Sequence, residues 1–172
     1  TKADGLPSDT FHTMISDQKG NIWVGMPYAI SRINGGLVNE TFFDISQDGV
    51  QFLMESADGS VWVATNPGLY RYDVNMKEQE FQDMRQVWVY TMLEATDETI
   101  WMALRLHSDE GTVEEGLWRF TGWRWDYEAL VNPGVERMIE DKNGNLWLSF
   151  EQGGLRKYNI TQNGSVHNCL LE

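Results

Sequence analysis

The chain has 172 residues, 41% of them apolar and 23% charged, which is enough apolar surface for a packed core and excludes wholesale disorder. Its 26 acidic and 13 basic side chains leave a net charge of −13, which repels nucleic acid and anionic membrane surfaces. One cysteine, Cys169, permits neither an internal disulfide nor a CxxC metal site.

In chain order, Phe11 to Asp17 reads as a first strand and Ile22 to Gly25 as a second. Ile30 to Ile33 reads as a third, and Phe42-Phe43 mark a weaker fourth. The pattern then recurs. Asp58-Gly59 and Asn143-Gly144 are tight-hairpin signals, because glycine accepts the positive φ that such turns demand. Later fourth strands are marked by Phe81, by Trp123 and Trp125, and by Val166. No stretch has helical periodicity. The longest apolar run, Ile100 to Leu104, falls far short of the roughly 18 residues of a membrane span. With no initiator Met and no apolar leader, the chain reads as a piece of something longer.

Eight tryptophans stand in the chain, and four of them keep one frame. Trp23, Trp62, Trp101 and Trp147 lie 39, 39 and 46 residues apart, each three residues after Gly20, Gly59, Glu98 or Gly144. Six residues before that turn position stand Met14, Leu53, Met92 and Met138; five before it stand Ile15, Met54, Leu93 and Ile139. Two after the Trp come Gly25, Ala64, Ala103 and Ser149, all small, where adjacent sheets are expected to approach most closely. Arg32, Arg71 and Arg119 recur on the third strand and are expected to cover neighbouring carboxylates. Four short antiparallel strands per repeat of about 40–45 residues is the signature of a β-propeller blade. The expected architecture is all-β, with four blades at about 4–43, 44–82, 83–128 and 129–172, forming part of a larger or dimer-completed propeller. The repeat tryptophans are expected in the core.

The stretch Gly5-Leu6-Pro7-Ser8-Asp9, followed by Met14 to Gly25, resembles the two-component regulator propeller repeat. Met138 to Trp147 resembles it as well, as do Trp62 to Thr65 with Gly68-Leu69; the third copy departs most. The resemblance implies the sensor propeller of a membrane histidine kinase or diguanylate cyclase, periplasmic or extracellular in a bacterium. It implies ligand sensing, with polysaccharide breakdown products among the ligands, and no catalysis.

Candidate site residues follow from the third copy. From the repeat Trp to the next apolar third-strand residue takes 7, 7 and 8 residues in copies one, two and four, but 16 in copy three. The extra residues lie within 105–116 and join the second and third strands, on the rim where propellers usually carry ligands. Two readings stand: a recognition loop with Arg105 and His107 at its base, or a longer solvated hairpin with its acidic residues simply exposed. Tyr28, Asn66, Trp88 and Gln152 fall on the same rim. Aromatic rings beside amides and Arg suit sugars, so a carbohydrate or other small molecule is the expected partner. No nucleic acid, membrane insertion, cofactor or metal is expected. Asp141 to Asn145 superficially resembles a calcium loop, but its Gly is misplaced and no distal Glu follows, so turn capping is the better reading. His12, His107 and His167 share no close spacing that would pair a base with an orienting group. A glycan hydrolase or lyase and a structural dimerisation module are the alternative functions.

Overall fold

Among the described residues of the computed structural model, sixteen strands in four antiparallel sheets account for nearly all the regular structure. The model describes residues 1–43, 49–65, 68–85, 87–107, 113–120, 122, 124–130, 134–160 and 166–169. The first sheet holds β1 (Thr13–Ser16), β2 (Ile22–Gly25), β3 (Ala29–Asn34) and β4 (Leu37–Phe43), each beside the next in sequence. The second holds β5 (Val50–Glu55), β6 (Val61–Thr65), β7 (Gly68–Tyr72) and β8 (Glu78–Arg85). The third holds β9 (Val87–Glu94), β10 (Ile100–His107), β11 (Val113–Phe120) and β12 (Trp125–Leu130). The fourth holds β13 (Val135–Glu140), β14 (Leu146–Phe150), β15 (Leu155–Ile160) and β16 (Val166–Cys169). Four up-and-down four-stranded sheets in succession are propeller blades, as the repeat implies. The fold divides into two units, Thr1–Trp88 and Val89–Glu172.

The hairpin joining the first two strands of each sheet explains the turn residues. Gly20, Gly59 and Gly144 have φ of 78°, 79° and 77°, and Glu98 takes the same left-handed conformation at 66°. The amide of each donates to the carbonyl three residues back, on Asp17, Ser56, Ala95 and Asp141. The connection is therefore a turn followed by a left-handed residue, longer than a two-residue hairpin. The strand β1 is also shorter than the sequence suggests: Phe11 lies outside it and is exposed.

In unit 1 the core lies between its two sheets. Trp23 and Ile30 of the first pack with Val50, Leu53, Val61, Val63 and Tyr72 of the second. Unit 2 repeats the pattern: Trp101, Ala103 and Leu117 pack with Val135, Met138, Leu146, Leu148 and Tyr158. The small residue after the Trp sits in this seam. A Cβ on Gly25 would lie 2.7 Å from Val50, and Ala103 is fully buried in the core of unit 2. Trp23, Trp62 and Trp101 are core residues. Trp147 corrects the expectation, because it is only half-buried.

Two devices hold the repeat Trp residues on their own sheets, the first at all four and the second at Trp23, Trp62 and Trp147. The cross-strand partner of each is cationic: Trp23 opposes Arg32, Trp62 opposes Arg71, Trp101 opposes Arg119 and Trp147 opposes Lys157. The guanidinium carbon of Arg71 lies 5.3 Å from the Trp62 ring centroid, that of Arg32 5.8 Å from Trp23, and Lys157 Nζ 5.7 Å from Trp147. The arginines also pair with carboxylates, Arg32 with Glu40 at 2.9 Å, Arg119 with Glu128 at 2.8 Å, and Arg71 with Asp58. The second device is an acceptor six residues before the Trp. The indole N–H donates to Asp17 at 2.9 Å, to Ser56 at 2.7 Å and to Asp141 at 2.9 Å.

Candidate functional site

The rim of unit 2 gathers a polar cluster from three neighbouring strands. The third-copy insert mostly lengthens a hairpin: β10 and β11 pair without interruption from Ile100↔Phe120 to His107↔Val113. This extra length brings Arg105 directly opposite Glu115. The Arg105 guanidinium binds Glu115 Oε1 at 2.5 Å. The Tyr90 hydroxyl, on β9, donates to the same oxygen at 3.2 Å. Glu115 holds the guanidinium above its ordinary pKa, with Tyr90 and Glu151 adding to the effect. Burial, then the Glu115 charge, pushes the Tyr90 phenol up.

Glu151 enters from the turn after β14. Its amide donates to Gly134 O at 2.8 Å, tying that turn to the entry of β13. Gly134 has φ 79°, and a Cβ there would lie 3.2 Å from Glu151 Oε2. The cluster thus presents one guanidinium, one phenol and two carboxylates. Such a set can donate to and accept from a neutral polyol.

The candidates from the sequence fall in different places. Arg105 lies in the cluster. Gln152 stands exposed in the turn beside Glu151, so these two share one rim. His107 ends β10, and its side chain lies outside the described residues. Tyr28 is 65% exposed in the turn between β2 and β3, and Trp88 is 46% exposed near the start of β9. Asn66 and the loop 108–112 lie outside the described residues. The picture of simply exposed acidic residues needs correction at Glu115, whose side chain is 11% exposed and paired.

Tyr90, Glu115 and Glu151 were not singled out in the sequence. The column of Tyr90 holds His12, Gln51 and Glu136 in the other copies, so repetition gives no signal there. Glu115 was legible only as one acid among several in the insert.

The Asp-rich turns are capped structures. Asp141 accepts the amides of Asn143 at 2.9 Å and Asn145 at 3.0 Å, besides the indole of Trp147. These bonds, Trp147 foremost, hold its pKa well below the usual carboxylate range. In Asp17, burial pushes upward, but bonds from Asn21, Trp23 and two amides outweigh it and the pKa is lowered.

A concavity of about 390 Å³ lies in unit 1, beside the β5–β6 and β7–β8 turns. Asp58, Arg71, Asp73, Lys77 and Glu78 are among its lining residues. Arg71 and Asp58 pair with each other, and the Glu78 carboxylate accepts the Tyr72 hydroxyl at 2.6 Å. Asp58, Arg71 and Glu78 are therefore already engaged within the protein.

Fold and rim together define the class: this is a β-propeller chain with its polar cluster on the loop-bearing rim. Residues 5–28 match the family model described as two component regulator propeller, so the resemblance of the repeat is borne out there. Among solved structures, the chain is similar to the extracellular domain of a hybrid two-component system from B. thetaiotaomicron. The TM-score is 0.73 at 17% identity, over 96% of this chain and 23% of that one. It is also similar to the extracellular domain of a one-component system from the same organism, with a TM-score of 0.70 at 16% identity, over 94% of this chain and 23% of that one. A gluconolactonase from Xanthomonas campestris gives a TM-score of 0.61 at 16% identity, over 90% of this chain and 60% of that one. The chain thus spans less than a quarter of the two extracellular domains it resembles. No curated protein matches it in sequence. Among the described residues, no helix is long and apolar enough to cross a membrane.

Proposed function

We propose that this chain is a non-catalytic, ligand-recognising segment of a sensor propeller, from the extracytoplasmic region of a bacterial two-component-type signalling protein. The observation that carries the reading is the Tyr90–Arg105–Glu115 cluster on the rim of unit 2, built by an insert that only the third copy has. Insertion on one blade of a repeated scaffold is how a binding loop arises without disturbing the core. The family match at residues 5–28 and the fold shared with two extracellular sensor-system domains support the signalling context. The ligand class that fits is a neutral oligosaccharide. Within unit 2, Arg105 and Gln152 offer donors to sugar hydroxyls beside the phenol of Tyr90.

The test is thermal denaturation against a panel of neutral oligosaccharides, with turnover of each sugar followed in parallel. A rise in Tm with one sugar, reduced in Arg105→Ala, and no turnover, is the expected result. Turnover of that sugar would instead make the chain a hydrolase or lyase, a reading favoured by the fold shared with the gluconolactonase. No shift with any sugar would leave a structural, dimerisation role.

A further inference from the structure

The rim cluster of unit 2 holds donors and charge in unequal measure. A guanidinium carries five N–H donors but a single positive charge. Arg105 directs its Nε and one terminal nitrogen at Glu115 Oε1, each at 2.5 Å. Its charge is thereby matched by a carboxylate whose side chain is 11% exposed, while Arg105 itself stays 39% exposed. The remaining N–H groups are left for other acceptors. The Tyr90 hydroxyl donates to the same oxygen, and with its pKa pushed up the phenol is neutral.

Glu151 carries the charge left over. It is exposed, and among the described residues its carboxylate has no hydrogen-bond or ion-pair partner. The backbone fixes where it stands. Its amide donates to Gly134 O at 2.8 Å, and its carboxylate lies against the bare Cα of Gly134, where a Cβ would come within 3.2 Å of Oε2. From there its charge reaches Arg105 and adds to that of Glu115 in raising the guanidinium pKa. One cation against two carboxylates leaves the cluster negative, although its donors are still available.

We infer that Glu151 is a specificity-determining residue of this rim, which admits sugars that offer hydroxyls and turns away those that carry a carboxylate. The inference takes the carbohydrate reading of the rim as its premise and narrows the ligand class. An exposed arginine in a sugar site is ordinarily the anchor for an acidic sugar, because a guanidinium pairs strongly with a carboxylate. Here that pairing is made inside the protein. A uronic acid would have to compete with Glu115 for the guanidinium, and it would meet the charge of Glu151 with no cation to offset it. A neutral hydroxyl meets neither cost. It accepts from a free N–H of Arg105 and donates to Glu151.

The test pairs each neutral oligosaccharide of the panel with its uronic-acid counterpart, galactotriose with trigalacturonate among them. Both affinities are measured by calorimetry, and the quantity read is their ratio. In the parent the acidic member is expected to bind at least about tenfold more weakly at about 0.05 M salt, with the ratio shrinking toward unity at about 0.5 M as the charges are screened. Glu151→Gln keeps the shape and removes the charge, and at an exposed position it should fold as the parent does. It is expected to cut the ratio at least about fivefold at low salt. An acidic member that binds the parent as tightly as its neutral counterpart overturns the inference. So does a ratio that neither salt nor Glu151→Gln moves, since exclusion by shape would leave it constant. In both cases the carbohydrate reading of the rim still stands. If no member of any pair binds, that reading fails and the inference falls with it.

Discussion

The carboxylate of Asp141 accepts the indole N–H of Trp147 at 2.9 Å, six residues away across a turn. Asp17 does the same for Trp23, and Ser56 serves Trp62 with a shorter side chain. The third sheet breaks the series: Ala95 holds the position, and the indole nitrogen of Trp101 is buried without a hydrogen-bond partner. One contact thus shows why the repeat keeps a polar residue there, and what is lost when it does not.

Ala95→Ser should supply that acceptor. Satisfying a buried donor is worth about 1–3 kcal/mol, less the cost of burying a new hydroxyl, so a net gain of about 1 kcal/mol is expected. The urea midpoint should rise with an unchanged slope. A midpoint at or below the parent's would mean that Trp101 is not held by the geometry of its sister residues.

The same contacts set the acid limit of stability. Asp17 and Asp141 both have folded pKa values below their ordinary one. Their contribution is fully present above the unfolded value of about 3.9 and is lost as pH falls through the lower folded values. Urea midpoints should therefore be insensitive to these two groups above about pH 5 and fall below about pH 4. In Asp17→Ser/Asp141→Ser, the acid fall should be shallower. An equally steep fall would place the acid sensitivity elsewhere.

Gly25 marks the closest approach of the two sheets in unit 1. Its missing Cβ would stand 2.7 Å from Val50 and 2.8 Å from Thr13 Cγ2. Gly25→Ala should destabilise by about 1–3 kcal/mol through overpacking. Alanine stands in the same column at position 64 and is fully buried, so the cost belongs to this seam rather than to the residue type. Equal stability of Gly25→Ala and parent in urea would contradict the packing of β2 on β5.

Most of the fold could be read because it repeats. The strand β2 begins and ends where the sequence placed it, since a turn glycine, an apolar run and a small residue recur around every Trp. The bond from the Gln18 amide to the Glu55 carboxylate could not be read, because Glu55 reaches a turn 37 residues away and the column is serine in the first copy. Nor was the half-exposure of Trp147 legible: its own repeat is intact, and its burial depends on what lies over the sheet. At the rim, Arg105 stood out through the length of the insert. Its partners Tyr90 and Glu115 did not, because an ion pair across a hairpin needs the register, which the sequence leaves open.

The account rests on the repeat tryptophans as the packing of the blades, and Trp62 tests it most directly. Its ring is buried, stacks on Phe81 with centroids 5.3 Å apart, and is bonded to Ser56. Urea unfolding of Trp62→Ala is the measurement. A loss of about 3–5 kcal/mol is expected from a large aromatic removed from a closed core. A variant that unfolds at the parent's midpoint would contradict the blade assignment itself.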